Sequence, residues 1–518
     1  MNLSESMTAA ASFQIAGRTE DALAELCRAR DAGVQSPKLS SAVGHLLFEL
    51  GRFRNAAAAY EDVAERDGDD LTAFFNRAVC LERLGEWDAA VMTFQHVVDR
   101  DPRRTGALLG LGICLLHLER PQEALDALDR CLERQPFRES ALRAKALALQ
   151  LLDRHSDALE LYQKLILRDS ESEDLLMQGI VSAIAVGDYE CVTNWAHRWL
   201  RLRPGSPRGL ECLALAAFAR RDYAAAAEFT QNLVECEPQS FAAWFNRGIA
   251  LQKLSQFSEA AHAFTRASEI RPQSAEAHLS LGTVLQETEQ WESAQTAYET
   301  ALALQPELRA ALWNLALLRE RKQDFTGAAS LYARVVELHP EADEAWFRLG
   351  YARFQLGDLS ASLRAFESCV AAANTRPDAL LNLAVVRWRM GEIESARETL
   401  RQVMAVEQKP AGAVRCLAAI AIESQDFKQA AGLYHQLLEI EGPSAELLYN
   451  TGLALQKLGR AEDAAGLYRK ALEQRAEFPE AQLNLGHALM ALGKHEDARA
   501  CWQAALRGNI DLTEHFLV

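Results

Sequence analysis

Apolar residues along the chain recur at spacings of three and four, in paired segments that read LxxGxxL and then AxxxYxxA. That is the period of a helix burying one face. The two segments of each pair are separated by a short turn rich in Gly and Asp, as in LGEW at 84–87 and LGDL at 356–359. The pattern then restarts. NRGIALQKL at 246–254 returns as NTGLALQKL at 450–458, and the gap of 204 residues is six periods of 34. The pattern predicts a helical hairpin repeated fifteen times over residues 3–512, followed by a short tail at 513–518.

Stepping by 34 from Gly248 in both directions lands on Gly or Ala at fourteen of fifteen positions, with Ile180 the exception. Twelve residues further on, thirteen of fifteen positions are Ala, with Val192 and Ser362 the exceptions. Gly inside a helix costs about 1 kcal/mol relative to Ala. Its recurrence there predicts a second helix approaching too closely for a side chain, and the recurrent Ala marks the other side of that contact. Pro at 102, 136, 204, 238, 272, 306 and 340 follows the second helix and fixes the turn into the next unit. No hairpin buries its own apolar face alone, so stacking is what makes a core.

In period and in the placing of W, L-G, Y, A, F and P, the chain resembles the tetratricopeptide repeat family. The match is carried by AAWFNRGIALQKLSQFSEAAHAFTRASEIRP at 242–272 and EAWFRLGYARFQLGDLSASLRAFESCV at 344–370, and the register holds over residues 3–512. The resemblance implies an all-α fold, a right-handed α-solenoid superhelix of about fifteen 34-residue helix-turn-helix repeats. It also implies that the first helix of each unit lines the concave face. An array of that length leaves no room for a separate catalytic domain.

Two places before the recurrent Gly or Ala stand Asn76, Asn246, Asn314, Asn382, Asn450 and Asn484. By the resemblance this position points into the groove, and the column is similar to the peptide-binding ladder in the repeat domain of the O-linked N-acetylglucosamine transferase. An Asn amide donates and accepts at once, so it can hold a peptide backbone whatever the side chains. The alternative is a consensus residue that supports the hairpin, and Gly110, Ala144, Gln178, Cys212, Ser280, Arg348 and Cys416 interrupt the column. One turn earlier come Glu276, Glu344, Asp378, Glu446 and Glu480. These are either helix N-terminal carboxylates favoured by the dipole or an acidic rim selecting Lys or Arg on a bound peptide. Near the ends of the same helices Arg83, Lys253, Arg321, Arg389 and Lys457 admit the mirror-image pair of readings.

The sixth unit, 173–206, is irregular. Ile180 and Val192 replace small residues, and Trp195 and Trp199 come close together beside Arg198 and Arg201. This is either a repacked joint or a second partner site, since Trp and Arg are common anchors. The carboxylate clamp by which some repeats of this family hold chaperone tails needs Asn one place after the recurrent Gly. Val79, Ile113, Ile249, Leu317, Val385 and Leu453 stand there, with His45 and His487.

Composition narrows the function classes. The formal charge is -17 with a pI near 5.3, opposite to the balance of a phosphate-neutralising nucleic-acid binder. Stretches of about 20 apolar residues, as a membrane span requires, are absent. Ten cysteines without a CxxC pair suggest reduced thiols in a cytoplasmic setting. GALLGLG at 106–112 lies within a first helix and lacks the strand-turn-helix context of a phosphate loop. HExxH, GxSxG and clustered Cys/His spacings do not occur, so neither catalytic residues, metal nor cofactor are expected. The expectation is a non-enzymatic scaffold that binds segments of other proteins, basic ones if the acidic rim selects. The alternatives are an assembly protein associating through Phe516, Leu517 and Val518 of the tail or through the Trp195/Trp199 region, or a recruiting subunit of a separately encoded enzyme.

Overall fold

The computed structural model describes residues 3–373 and 376–508. Among them are thirty helices and no strand, paired as fifteen hairpins. The first helix of every hairpin starts on the 34-residue grid, at 3, 37, 71 and so on to 479. The helices fall into two compact units, Met1–Ile270 with hairpins 1 to 8 and Arg271–Val518 with hairpins 9 to 15. Within each unit every helix packs on the next. The first helices of successive hairpins also touch, as Leu71–Leu84 touches Thr105–His117 and Pro377–Arg389 touches Ala411–Glu423. These first helices therefore line one face of each unit.

The recurrent glycine sits where the sequence pattern requires it. A Cβ on Gly248 would lie 2.6 Å from the ring of Phe264, one on Gly282 2.6 Å from Tyr298, and one on Gly452 2.8 Å from Tyr468. Each ring comes from the second helix of the same hairpin, and all three are fully buried. Burying such a ring is worth roughly 2 kcal/mol, more than the helix propensity the glycine gives up. The recurrent Ala260 and Ala294 are likewise closed off from solvent. Ser362, an exception on that row, is buried and donates from Oγ to the Gly350 carbonyl at 2.8 Å, so its hydroxyl is satisfied by the first helix.

The irregular sixth hairpin, Glu173–Val186 with Tyr189–Leu202, keeps the same contact by shifting it one residue. Gly179 now makes the space, and a Cβ there would meet the Trp195 ring at 2.6 Å. The exchange is reciprocal: Ile180 takes the grid position of the small residue, and Ala196 takes that of the ring. Trp199 is buried as well and donates its indole N–H to Glu173, which also pairs with Arg203 at 2.8 Å.

The turn inside each hairpin is a left-handed residue on the same 34-residue grid. Gly17, Gly51, Gly85, Gly187, Gly357, Gly391, Gly459 and Gly493 occupy it in eight hairpins. Glu119, Asp153, Arg221, Ser255, Glu289, Gln323 and Gln425 adopt it in the other seven, with φ between 55 and 60°. The bonds Gly51 N–H to Phe48 O and Arg52 N–H to Leu47 O, at 3.0 and 2.9 Å, satisfy the last carbonyls of the helix in Schellman fashion. Asp222, Asp324, Asp358 and Asp426 then cap the second helices, each accepting from a first-turn amide.

Candidate functional site

All six asparagines of the column lie on first helices and are half-buried. They divide into two sets. Asn76 lies in reach of the Tyr60 hydroxyl of the preceding hairpin; burial pushes that phenol up to about 12 against the opposing pull of Asn76. Asn314 does the same for Tyr298, whose pKa burial also raises. Asn484 donates from Nδ2 to the Tyr449 hydroxyl at 2.8 Å. Asn246, Asn382 and Asn450 make no side-chain hydrogen bond to any other described residue. Their amides keep a full donor and acceptor capacity on the face where the first helices meet.

At the interrupted position of the eleventh hairpin, Arg348 replaces asparagine and anchors a chain of charges. Its guanidinium pairs with Glu320 at 2.9 Å and Glu344 at 2.8 Å. Glu320 also accepts the Tyr332 hydroxyl at 2.7 Å. Arg376, stacked over the Phe347 ring, pairs with Glu344 at 2.6 Å, Asp343 at 3.2 Å and Asp378 at 2.9 Å. Farther on, Glu446 pairs with Arg475 at 3.3 Å. Thus Glu344, Asp378 and Glu446 are already engaged in ion pairs within the fold, while Glu276 and Glu480 have no ion pair among the described residues. Arg321 lies over the Trp291 ring at 4.0 Å, and Arg321, Arg389 and Lys457 are all exposed.

The first-helix face of the first unit also carries an exposed apolar row. The row one place after the recurrent small residue continues from Ile113 through Leu147, Val181 and Leu215 to Ile249, and the three in the middle are exposed. Cys212, Leu215, Phe218, Asn246 and Ile249 line one hollow on this face. Leu147, Val181 and Leu215 escaped the sequence reading although they sit on its grid. Their signal was the row one place after the recurrent Gly or Ala, on which Val79, Ile113 and Ile249 also stand.

In the sixth hairpin Trp195 and Trp199 are both buried, at 6% and 4% exposure. Neither indole is free to anchor a partner, because both fill the hairpin's own core. Arg198 and Arg201 border a shallow depression with Asn194 and His197. The tail residues Phe516, Leu517 and Val518 lie outside the described residues. Among the described residues no cluster of His, Cys, Asp and Glu is arranged to hold a metal, and no helix is long and apolar enough to cross a membrane.

Among known proteins, the chain is similar to several solved repeat structures. One is YrrB, described as a TPR protein with an unusual peptide-binding site, at 22% identity over 37% of this chain and 98% of that one, TM-score 0.35. A second is the Cut9–Hcn1 hetero-tetramer of the APC/C, at 15% identity over 95% and 98%, TM-score 0.32. A third is the C-terminal part of a TPR repeat-containing protein from Cytophaga hutchinsonii, at 16% identity over 46% and 99%, TM-score 0.41. No curated protein matches the chain. Family models described as tetratricopeptide repeat match residues 42–102, 83–139, 118–173, 279–340 and 319–377, then 354–419 and 455–508, and 241–274. These matches span well over half the chain, on the same grid that sets its glycines, alanines and left-handed turns, and the chain belongs to the tetratricopeptide repeat family.

Proposed function

We propose that the protein is a non-catalytic scaffold that captures segments of partner proteins along its first helices, with the asparagine column holding the segment's backbone. A protein-interaction role follows from the family; the groove and its residues are the added step. One observation carries it. Asn382 and Asn450 in the second unit, and Asn246 in the first, present half-buried amides at the same place on their own first helices, with no hydrogen-bonding partner among the described residues. A half-buried amide left unspent by its own fold is suited to a peptide N–H and C=O. The other three asparagines are partly committed to Tyr60, Tyr298 and Tyr449, which makes them supports first and ladder rungs second.

The test compares proteins captured by the full chain with those captured by an Asn246/Asn382/Asn450→Ala variant. The expected result is loss of bound partners with an unchanged thermal midpoint. Retention of the same partners by a folded variant moves binding away from this face.

A further inference from the structure

The asparagine column has a companion on the same helices. Seven residues after Asn76, Asn246, Asn314, Asn382 and Asn450 stand Arg83, Lys253, Arg321, Arg389 and Lys457. Seven residues are two turns, so amide and cation share one face, about 10 Å apart. Of the other ten first helices none carries Lys or Arg at that position, and Glu49, Glu287 and Glu423 occupy it in three. The helix dipole favours a cation near any C-terminus. That argument applies to all fifteen helices alike and gives no reason for the cation to follow the asparagine.

Charge pairing adds a second, independent observation. The arginines Arg348, Arg376 and Arg475 are spent on carboxylates of the first helices. None of the five companion cations has a carboxylate within 4 Å among the described residues. In the second unit the fold therefore consumes Glu344, Asp378 and Glu446 and leaves Arg321, Arg389 and Lys457 unanswered. Glu423 interrupts this row, and its carboxylate accepts the indole N–H of Trp388 at 2.8 Å.

We propose that the first helices of hairpins 10, 12 and 14, Arg309–Arg321, Pro377–Arg389 and Ala445–Lys457, form a docking face for an acidic segment of a partner protein. The unspent amides of Asn382 and Asn450 hold the main chain, and Arg321, Arg389 and Lys457 receive its carboxylates. This rests on the groove reading above and reverses the basic preference suggested by the sequence. First helices at the usual separation of 8–10 Å place cations of alternate hairpins about 20 Å apart, roughly six extended residues. The chain's charge of -17 repels acidic peptides in general, so capture of one marks a local site.

The probe is a fluorescein-labelled peptide of about thirteen residues, Ala and Ser with Glu at its two ends and its middle, beside a twin carrying Gln instead. Anisotropy is read on the full chain at low salt. The Glu peptide is expected to bind at least about tenfold more tightly than the Gln twin, a preference that fades as salt rises. Arg321/Arg389/Lys457→Gln should abolish the preference, and Arg321/Arg389→Lys should keep it. Asn382/Asn450→Ala should weaken both peptides together.

Equal binding of the twins overturns the acidic assignment. So does a preference that survives in the triple Gln variant, or no binding of either peptide up to about 1 mM. If the twins bind equally and the Asn variant loses both, the groove reading stands while this inference fails. If the preference responds to the cations but not to the asparagines, the acidic face stands and the amide ladder fails.

Discussion

Gly248 and Gly432 are both helical glycines, yet replacing each with alanine should have opposite effects. At Gly432 an added Cβ meets nothing within 4 Å, so Gly432→Ala should stabilise by about 0.5–1 kcal/mol through helix propensity. At Gly248 the same methyl collides with Phe264, a ring without room to retreat, and a loss of about 1–3 kcal/mol is expected. Urea denaturation of the two variants should show midpoints moving in opposite directions. Gln323 gives a third case. It holds φ at 60° where other hairpins place Gly, so Gln323→Gly should raise stability by about 0.5–1 kcal/mol, relieved strain less the extra unfolded-state entropy. The close contact at Gly248 was legible in the sequence because a costly glycine repeated on a period demands a steric cause. The left-handed row was not, because Glu119, Gln323 and Gln425 carry no turn signal of their own.

At the scale of the hairpin, two departures from the grid compensate each other. Ile180 opposite Ala196, with Gly179 beneath Trp195, preserves the volume shared by the two helices. Trp195→Ala should open a cavity and cost about 3–5 kcal/mol, read as a fall in the unfolding midpoint with loss of near-ultraviolet dichroism. In a regular hairpin, Ala260→Leu should cost about 1–3 kcal/mol by overpacking a position with no exposed surface. A neutral outcome there would mean that the helices can separate at no cost. The sequence marked hairpin six as irregular. It hid the reason, since each exception lies on a different helix and only their juxtaposition reveals an exchange.

Across the whole array, stability is local. Repeat proteins lose end units without unfolding the rest, so a perturbation in hairpin 15 should be read there. Burial, with Lys457 adding to it, pulls the His487 pKa below its ordinary value near 6.5. The neutral ring is thus favoured in the fold, while the unfolded ring takes a proton first. Stability from this site is complete above the unfolded value and declines as pH falls through it toward the lower native one. Amide exchange in Pro479–Ala491 should quicken over that window, and His487→Gln should remove the effect. The candidate face was legible to a similar degree. The asparagine column and the cations could be read from residue types on the grid. Which amides are spent on Tyr60 or Tyr298, and that Arg376 reaches back to Asp343 and Glu344, could not, because those partners come from other helices and depend on side-chain reach.

The glycine-to-ring contact also sets a clock. Gly248 and Phe264 are 16 residues apart, and even far-reaching bonds such as Asn484 to Tyr449 or Trp388 to Glu423 span only 35. The loops to be closed are equally short whether three hairpins exist or fifteen, so the entropic barrier to folding does not grow with the chain. Each hairpin can close as it leaves the ribosome, on its already folded predecessor, without waiting for residues still untranslated.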